Sequence, residues 1–120
     1  MKCNNAGKIA ESIAVWYFKL HGFAVVKRNF ITGRGTGAGE IDLIVTKNNM
    51  LVFVEVKKRK SIEDAAYSIK ESQQKRIWKA AENFIKNNSE YQDCDVRFDA
   101  FLMNSIFSFK HIPDAWRIWE

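Results

Sequence analysis

The sequence predicts an α/β fold, in which a central mixed β-sheet of about five strands is flanked by helices in the order αβββαββ. Two β-rich runs, residues 39–45 and 51–57, are joined by a short turn at Asn48-Asn49, and a long helical region separates them from the next β-rich run. A tight turn gives an antiparallel hairpin, whereas a helical crossover allows a parallel return, so both strand directions are expected. The element order alone is compatible with either an α/β or an α+β arrangement.

Residues 6–21 form the first predicted helix, which ends at Gly22. Its apolar residues recur at the spacing of one helical face, and they are Ile9, Ile13, Trp16 and Leu20. Glu11 lies off that stripe, so its position does not by itself require burial. A strand over residues 23–30 follows, and a glycine-rich loop over residues 33–39 comes next.

The second half of the chain alternates between the same two periodicities. The predicted elements are strands over residues 40–46 and 50–58, a helical region over 61–88 with a candidate break near 68–72, and strands over 96–102 and 106–111. The tail, residues 113–119, is predicted to be a short helix or turn that packs Trp116 and Trp119.

Length and composition predict one soluble domain over residues 1–120. The chain is 47% hydrophobic, which suits a single core, and it has no stretch of ~20 apolar residues that would span a membrane. Cys3 and Cys94 form neither a disulfide framework nor a metal-binding pair, which favours the reducing cytoplasm. The net charge of +5, from 19 basic and 14 acidic residues, is compatible with a nucleic-acid partner and equally with ordinary solubility charge.

Acidic and basic side chains interrupt both strands of the predicted hairpin. Glu40, Asp42 and Ile44 are expected to share one face of their strand, because strand side chains alternate. Glu55 and Lys57 likewise share a face of the returning strand, thirteen or more positions after Asp42. Charged groups are costly inside a strand unless they are paired or bind a metal. The hairpin is therefore predicted to bring two carboxylates and one ammonium group together.

Such a group of side chains suits Mg²⁺ and a phosphodiester substrate. Two close carboxylates repel one another unless a cation lies between them, and Mg²⁺ prefers oxygen ligands. Lys57 could orient the attacking water or offset developing negative charge. The alternative is a cross-strand salt bridge, from Asp42 or Glu55 to Lys57, on a solvated sheet face.

Basic residues around these strands are candidate contacts to nucleic acid, and a solvated surface is the alternative for each. They are Arg34 in the glycine loop, Lys58, Arg59 and Lys60 after the second acidic strand, and Lys75 and Arg76 on the following helix. Gln74 and Lys75 are further candidates to approach the acidic residues from that helix. His21 and His111 are isolated in the sequence and are interpreted as surface or cap residues.

The arrangement of Asp42 followed by Glu55-Val56-Lys57 resembles the signature of the PD-(D/E)XK nuclease superfamily, with Ile41 in place of the nominal proline. The surrounding residues 39–44 and 53–59 are similar to the YraN family of small bacterial proteins within it. Further matches extend along nearly the whole chain: Ala10-Glu11, Arg28-Asn29, Lys75, Ala80-Ala81 and Arg97-Phe98-Asp99.

The resemblance implies a restriction-endonuclease-like core, similar to the dimeric archaeal Holliday-junction resolvases. It implies that Asp42, Glu55 and the Val56 carbonyl coordinate Mg²⁺ or Mn²⁺, that Lys57 assists the water, and that Glu11 completes the acidic cluster. A homodimer is one consequence to be tested.

The predicted function is that of a Mg²⁺-dependent endonuclease that hydrolyses phosphodiester bonds in DNA, including branched DNA. The first alternative is a nucleic-acid-binding module that keeps the fold without catalysis, which predicts salt-sensitive binding and no cutting. The second is an interaction protein with a charged surface hairpin, which predicts little affinity for nucleic acid.

Overall fold

The structure is a computed structural model that describes residues 5–32 and 39–117 of the chain. Arg34, most of the glycine-rich loop and Trp119 lie outside the described residues. The elements are helices α1 (Asn5–Leu20), α2 (Ile62–Tyr67) and α3 (Glu71–Lys86), strands β1 (Ala24–Ile31), β2 (Glu40–Lys47), β3 (Met50–Lys58), β4 (Asp95–Ser105) and β5 (Ser108–Ile112), and a 3-10 turn over Ser89–Tyr91.

The predicted order αβββαββ is confirmed, with the helical region divided into α2 and α3 at the candidate break. Ser61 begins α2 by accepting a hydrogen bond from the backbone N–H of Asp64 at 3.0 Å. The last strand begins at Ser108, two residues later than predicted. In the tail, residues 113–114 form a turn, and Trp116 is buried in the core.

The five strands form one mixed sheet in the order β1-β2-β3-β4-β5. Neighbouring strands are antiparallel except β3 and β4, which are parallel from Met50 opposite Asp95 to Lys58 opposite Met103. The helices between β3 and β4 provide the crossover that parallel strands require. The parallel return predicted from the intervening helical region is therefore confirmed.

The sheet divides where the acidic residues lie. β2 pairs with β3 only as far as Leu43 opposite Val54, although both strands continue beyond that pair. β2 stays paired with β1, and β3 stays paired with β4, so the two ribbons separate. The backbone N–H of Val56 then donates to Oδ2 of Asp42 at 2.8 Å, in place of a strand-to-strand bond.

The strict alternation expected for β2 is wrong at this division. Ile41 and Ile44 pack in the same hydrophobic cluster, whereas Leu43 and Val45 pack in the other. A strand that leaves its neighbour is released from the shared pleat, and its side chains can turn relative to those that remain paired.

Two hydrophobic cores cover the two faces of the sheet. The first lies between the sheet and α2 and α3, and it includes Phe53, Ile77 and Trp116. The second lies between the sheet and α1, and it includes Phe18 and Phe101. The architecture is therefore a sheet flanked by helices, as predicted.

Of the four residues in the predicted apolar stripe of α1, Ile13 packs against the core and the other three are exposed. Ile9, Trp16 and Leu20 are 50%, 64% and 80% exposed, and the sheet is covered instead by smaller residues and one phenylalanine. The buried residues of α1 are Ala10, Ala14, Val15 and Phe18. The small side chains of Ala10 and Ala14 suit close packing of a helix on a sheet, whereas the bulky Trp16 and Leu20 point outward. None of the helices in residues 5–32 and 39–117 is long and apolar enough to cross a membrane.

Candidate active site

Asp42 and Glu55 lie at the division of the sheet, one on each separating strand. Glu55 is 3% exposed, and Asp42 is half-buried. A hollow of about 250 Å³ opens beside both residues toward α3, and another of about 400 Å³ opens beside Asp42 toward α1. Asp42 and Lys57 line both hollows. The predicted pairing of the two carboxylates and the lysine is thus present in the structure.

Hydrogen bonds hold Glu55 in one orientation. Lys57 places Nζ 3.1 Å from Oε2 of Glu55, and the side-chain amide of Gln73 on α3 donates to the same oxygen at 2.5 Å. The salt bridge of the alternative interpretation is present between Glu55 and Lys57, but it joins two residues of one strand, and the expected solvated face is wrong because Glu55 is almost wholly buried. An ion pair of this kind needs further hydrogen bonds to offset the loss of water, and Gln73 supplies one.

The pKa values of both carboxyl groups are raised, and the hydrogen bond between them acts in opposite directions on the two, raising that of Asp42 and lowering that of Glu55. Burial, followed by the nearby charge of Glu55, raises the pKa of Asp42 to about 7, although the Val56 N–H and the Lys57 charge act against this. Burial also raises the pKa of Glu55, and its ion pair with Lys57 opposes that effect. The two groups share a hydrogen bond, so one proton is held between them below neutral pH.

Glu11 reaches the same region from α1. It lines the hollow on the α1 side together with Asp42 and Lys57. Burial, and then the charge of Asp42, raise the pKa of Glu11, while a hydrogen bond from Asn29 lowers it. Glu11 lies on the sheet-facing side of α1, one and two turns before Ala14 and Phe18, and its half-buried position follows from that face.

The donor set fits a hard divalent cation. Asp42 and Glu55 offer carboxylate oxygens, and the adjacent Val56 carbonyl is a further oxygen donor on the same strand as Glu55. Across residues 5–32 and 39–117, no group of three or more His, Cys, Asp or Glu side chains is arranged to hold a metal ion. Glu11 therefore influences the pair through its charge in this geometry, and Mg²⁺ would complete its coordination with water, as this ion commonly does.

Some of the basic residues predicted to bind nucleic acid line the two hollows, and others are exposed away from them. Lys58 and Arg59 line the α1-side hollow, and Arg76 lines the α3-side hollow. Lys60 is exposed just beyond β3. Lys75 is exposed, and its Nζ lies 3.9 Å from Oε2 of Glu71 on the same helix. The negative charge of Glu71 therefore offsets part of the positive charge of Lys75.

Two features of the chain were not predicted from the sequence. The residue of α3 that reaches the acidic pair is Gln73, and the prediction of Gln74 is wrong, because its side chain donates to the Ile69 carbonyl at 3.2 Å. The side chains of consecutive residues in a helix point in directions that differ by about 100°. In α3, which begins at Glu71, this rotation directs Gln73, and not Gln74, toward Glu55.

The second feature is a buried polar network at Asp99, which is 0% exposed. Arg97 donates to both its oxygens at 2.8 and 2.9 Å, and Nε2 of His111 lies 2.6 Å from Oδ2. Nδ1 of His111 lies 3.0 Å from the Tyr17 hydroxyl, which links α1 to β5. The surface or cap role expected for His111 is wrong, because its ring nitrogens join two elements of the core.

The mixed five-stranded sheet, its flanking helices and the element order define a restriction-endonuclease-like fold. The chain belongs to the uncharacterised protein family UPF0102, the YraN family, which matches residues 10–103. It is 40% identical to a UPF0102 protein of Paramagnetospirillum magneticum over 112 residues, which cover 93% of this chain and 87% of that protein.

Further relatives have the same family name. A UPF0102 protein of Rhodopseudomonas palustris is 39% identical over 110 residues, 92% of this chain and 78% of its own length. Another from Ehrlichia chaffeensis is 33% identical over 114 residues, 95% of this chain and 88% of its own. The predicted YraN family membership is confirmed. The family name states no activity.

Proposed function

We propose that this chain is a nucleic-acid-binding, Mg²⁺-dependent endonuclease-like protein that hydrolyses phosphodiester bonds in DNA, including branched DNA. The observation that carries the proposal is the pairing of half-buried Asp42 with buried Glu55, with Lys57 in contact with Glu55. Burial of two repelling carboxyl groups destabilises a fold, and strongly perturbed acids in a hollow are typical of functional sites.

The chain's own residues have distinct roles in this proposal. A Mg²⁺ or Mn²⁺ ion bound by Asp42, Glu55 and the Val56 carbonyl would polarise a phosphoryl oxygen and lower the pKa of a bound water. Lys57, in contact with Glu55, would orient the attacking water and offset negative charge that develops on the phosphate. Lys58 and Arg59, at the rim of the α1-side hollow, would hold neighbouring phosphates.

A cleavage assay tests this function. We expect cutting of linear, flapped or four-way DNA by the purified chain with Mg²⁺ or Mn²⁺, and no cutting with EDTA. Glu55→Gln should reduce the rate by ~100-fold or more, because metal ligands contribute several kcal/mol of transition-state charge stabilisation. Glutamine keeps the shape of Glu55 and can still accept from Gln73, so the fold should survive the change.

The matched control is Glu63→Gln, which changes an exposed glutamate in the first turn of α2. It should cut at the wild-type rate. Equal, undiminished cutting by Glu55→Gln would mean that a contaminant or a different site is responsible. No cutting by the wild type on any of these substrates with either metal would contradict the enzymatic proposal.

One observation favours a non-catalytic nucleic-acid-binding module as the second candidate. Glu11 does not join Asp42 and Glu55 in a three-acid metal group among the described residues. This candidate predicts DNA binding that weakens steeply with salt, as counterions are released, without cutting at any metal concentration. Binding and cleavage measured on the same substrates separate the two. A single domain over residues 1–120, a homodimer and a cytoplasmic location stay predictions.

Gln73→Ala is expected to lower the cleavage rate by about tenfold, because loss of a partner that orients a metal ligand typically costs 10- to 100-fold. The side chain contacts Glu55 and would act by holding that carboxylate. The apparent Mg²⁺ affinity, measured from the metal dependence of cleavage, should weaken in parallel.

Gln74→Ala is the matched control, since it alters the next residue of α3, whose amide bonds the Ile69 carbonyl. It should leave the metal dependence unchanged. If both alanine variants behave alike, the contact between Gln73 and Glu55 has no special role in the reaction.

A further inference from the structure

A second hollow, of about 520 Å³, lies at the opposite end of the sheet from the Asp42–Glu55 pair. Met50 and Val96, at the paired starts of β3 and β4, line it. Glu55 follows Met50 by five positions along β3, which corresponds to ~17 Å of extended strand. The volume of this hollow is in the range of sites that hold small ligands.

Aromatic rings form the inner walls of this hollow. They come from Trp78 on α3, Phe98 on β4 and Trp116 in the tail. Phe98 and Trp116 are stacked, with ring centroids 5.7 Å apart and an angle of 24° between their planes. Flat rings of this kind accept another planar ring against their faces.

Trp116 also has an unused hydrogen-bond donor. The residue is 8% exposed, and its buried Nε1–H has no hydrogen-bond partner. Leaving a buried donor without an acceptor destabilises a fold by ~1–3 kcal/mol. The N–H is covered by its surroundings, so an acceptor atom on a bound molecule would remove that penalty once the indole ring turns toward the hollow, and this favours a ligand with an acceptor on a flat ring.

The charged rim narrows the ligand class further. Arg97 donates from Nε and Nη2 to Asp99, and Arg117 donates from Nε and Nη2 to Asp114. In each case Nη1 remains outside the ion pair. Since both guanidinium charges are matched by carboxylates, the rim offers hydrogen-bond donors with little net charge. A bare phosphate gains little there, whereas a planar ring with acceptors along its edge gains both stacking and hydrogen bonds.

We propose that this hollow binds a nucleobase, stacked against the Trp78 and Trp116 walls with an acceptor atom directed to the indole N–H or to the arginine rim. The base belongs either to a free nucleotide or to a single strand of nucleic acid, and the two sources share the same chemistry. This site is independent of the proposed cleavage function, because none of its lining residues lines either hollow at Asp42.

The test uses the indole N–H signals of the ¹⁵N-labelled full chain, with the Trp116 signal assigned through Trp116→Phe. The probes are guanosine 5′-monophosphate, cytidine 5′-monophosphate and a short single-stranded DNA of mixed sequence. Ribose 5-phosphate is the matched control that lacks a base. We expect the Trp116 signal to move with a nucleotide, with the DNA or with both, and not with ribose 5-phosphate. The Trp16 signal, on the exposed face of α1, should stay in place.

Two variants make the outcome decisive. Trp78→Leu should weaken binding by about tenfold, because base–aromatic stacking contributes ~1–3 kcal/mol per base. Trp116→Phe keeps a ring and removes the indole N–H donor, and we expect it to weaken binding by about fivefold. Because this variant lacks the Trp116 signal, its binding is measured from the Trp78 indole signal. Movement with nucleotides alone assigns a free nucleotide, and movement with DNA assigns a strand. No movement with any base-containing probe, equal movement with ribose 5-phosphate, or undiminished binding by both variants would overturn the proposal.

Discussion

Asp42→Asn is expected to lose metal-dependent cleavage by ~100-fold or more and at the same time to fold more stably than the wild type at pH 8. Asparagine can still accept the hydrogen bond from the Val56 N–H, and its amide can donate to Glu55. The substitution therefore removes a buried negative charge without leaving a cavity or an unsatisfied partner.

The pH dependence of this stability difference follows from the raised pKa of Asp42. The ordinary value of 3.8 applies to the unfolded chain, and in the folded chain the pKa is about 7. A raised acid pKa gives stability that is fully present below pH 3.8 and is lost as pH rises through about 7. The advantage of Asp42→Asn should thus grow between these two values and level off above pH 7.

The expected gain at pH 8 is on the order of 2 kcal/mol, since one pKa unit corresponds to ~1.4 kcal/mol and part of the burial cost stays with Glu55. Denaturant unfolding at pH 5 and pH 8 measures it. Mg²⁺ should raise the unfolding midpoint of the wild type at pH 8 and leave that of Asp42→Asn unchanged.

Asp95→Asn is the matched control for this experiment, because Asp95 is exposed at the start of β4. It should show neither the added stability nor the loss of the Mg²⁺ effect. A variant Asp42→Asn that is less stable than the wild type at pH 8 would mean that the carboxylate stabilises the fold, which contradicts the functional interpretation of its burial.

Asp99→Ala is expected to destabilise the fold by about 3–5 kcal/mol at pH 7. The change leaves Arg97, the His111 ring and the backbone N–H of Asp114 without the carboxylate that all three contact. Because His111 also bonds Tyr17, the loss should spread to the packing of α1 against the sheet. Denaturant unfolding followed by circular dichroism gives the value.

The sign of the pH effect is opposite to that at Asp42. Although burial acts to raise it, hydrogen bonds from His111, Arg97 and the Asp114 backbone lower the pKa of Asp99 below 3.8. The stability that Asp99 contributes is complete above pH 3.8 and is lost as pH falls through its lower folded value. The gap between wild type and Asp99→Ala should therefore be constant at neutral pH and close only in acid.

Asp93→Ala, in the exposed turn before β4, is the control and should change stability by no more than ~0.5 kcal/mol. If Asp99→Ala costs as little as this, Arg97 and His111 find other partners when the carboxylate is removed, and the network does not hold α1 in place.

Much of the fold follows from local sequence pattern. The hairpin between residues 40 and 58 is specified by β-rich runs and a short turn, and the helical crossover then requires the parallel return of β4. The meeting of Asp42 with Glu55 and Lys57 follows from the same hairpin. These predictions depend on neighbours in sequence, where the period of each element restricts the outcome.

The inward face of α1 was not predictable in the same way. Three of the four residues in its apolar stripe point outward, and Glu11 is carried inward on the face of Ala10, Ala14 and Phe18. Apolar periodicity indicates that a helix has two different faces. Which of these faces packs against the sheet depends also on the distance between the helix and its packing partner.

Taken alone, the order of residues determined the strands, the crossover and the encounter of two carboxylates with one lysine, because each depends on periodicity and turn length over a few tens of residues. The tertiary structure decided where β2 and β3 separate beside Glu55, and it decided that Gln73, and not Gln74, contacts Glu55. It also decided that His111 bonds both Tyr17 and Asp99. These contacts join segments that are far apart in the chain, and their partners are set by helix rotation and packing distance, which no local pattern encodes.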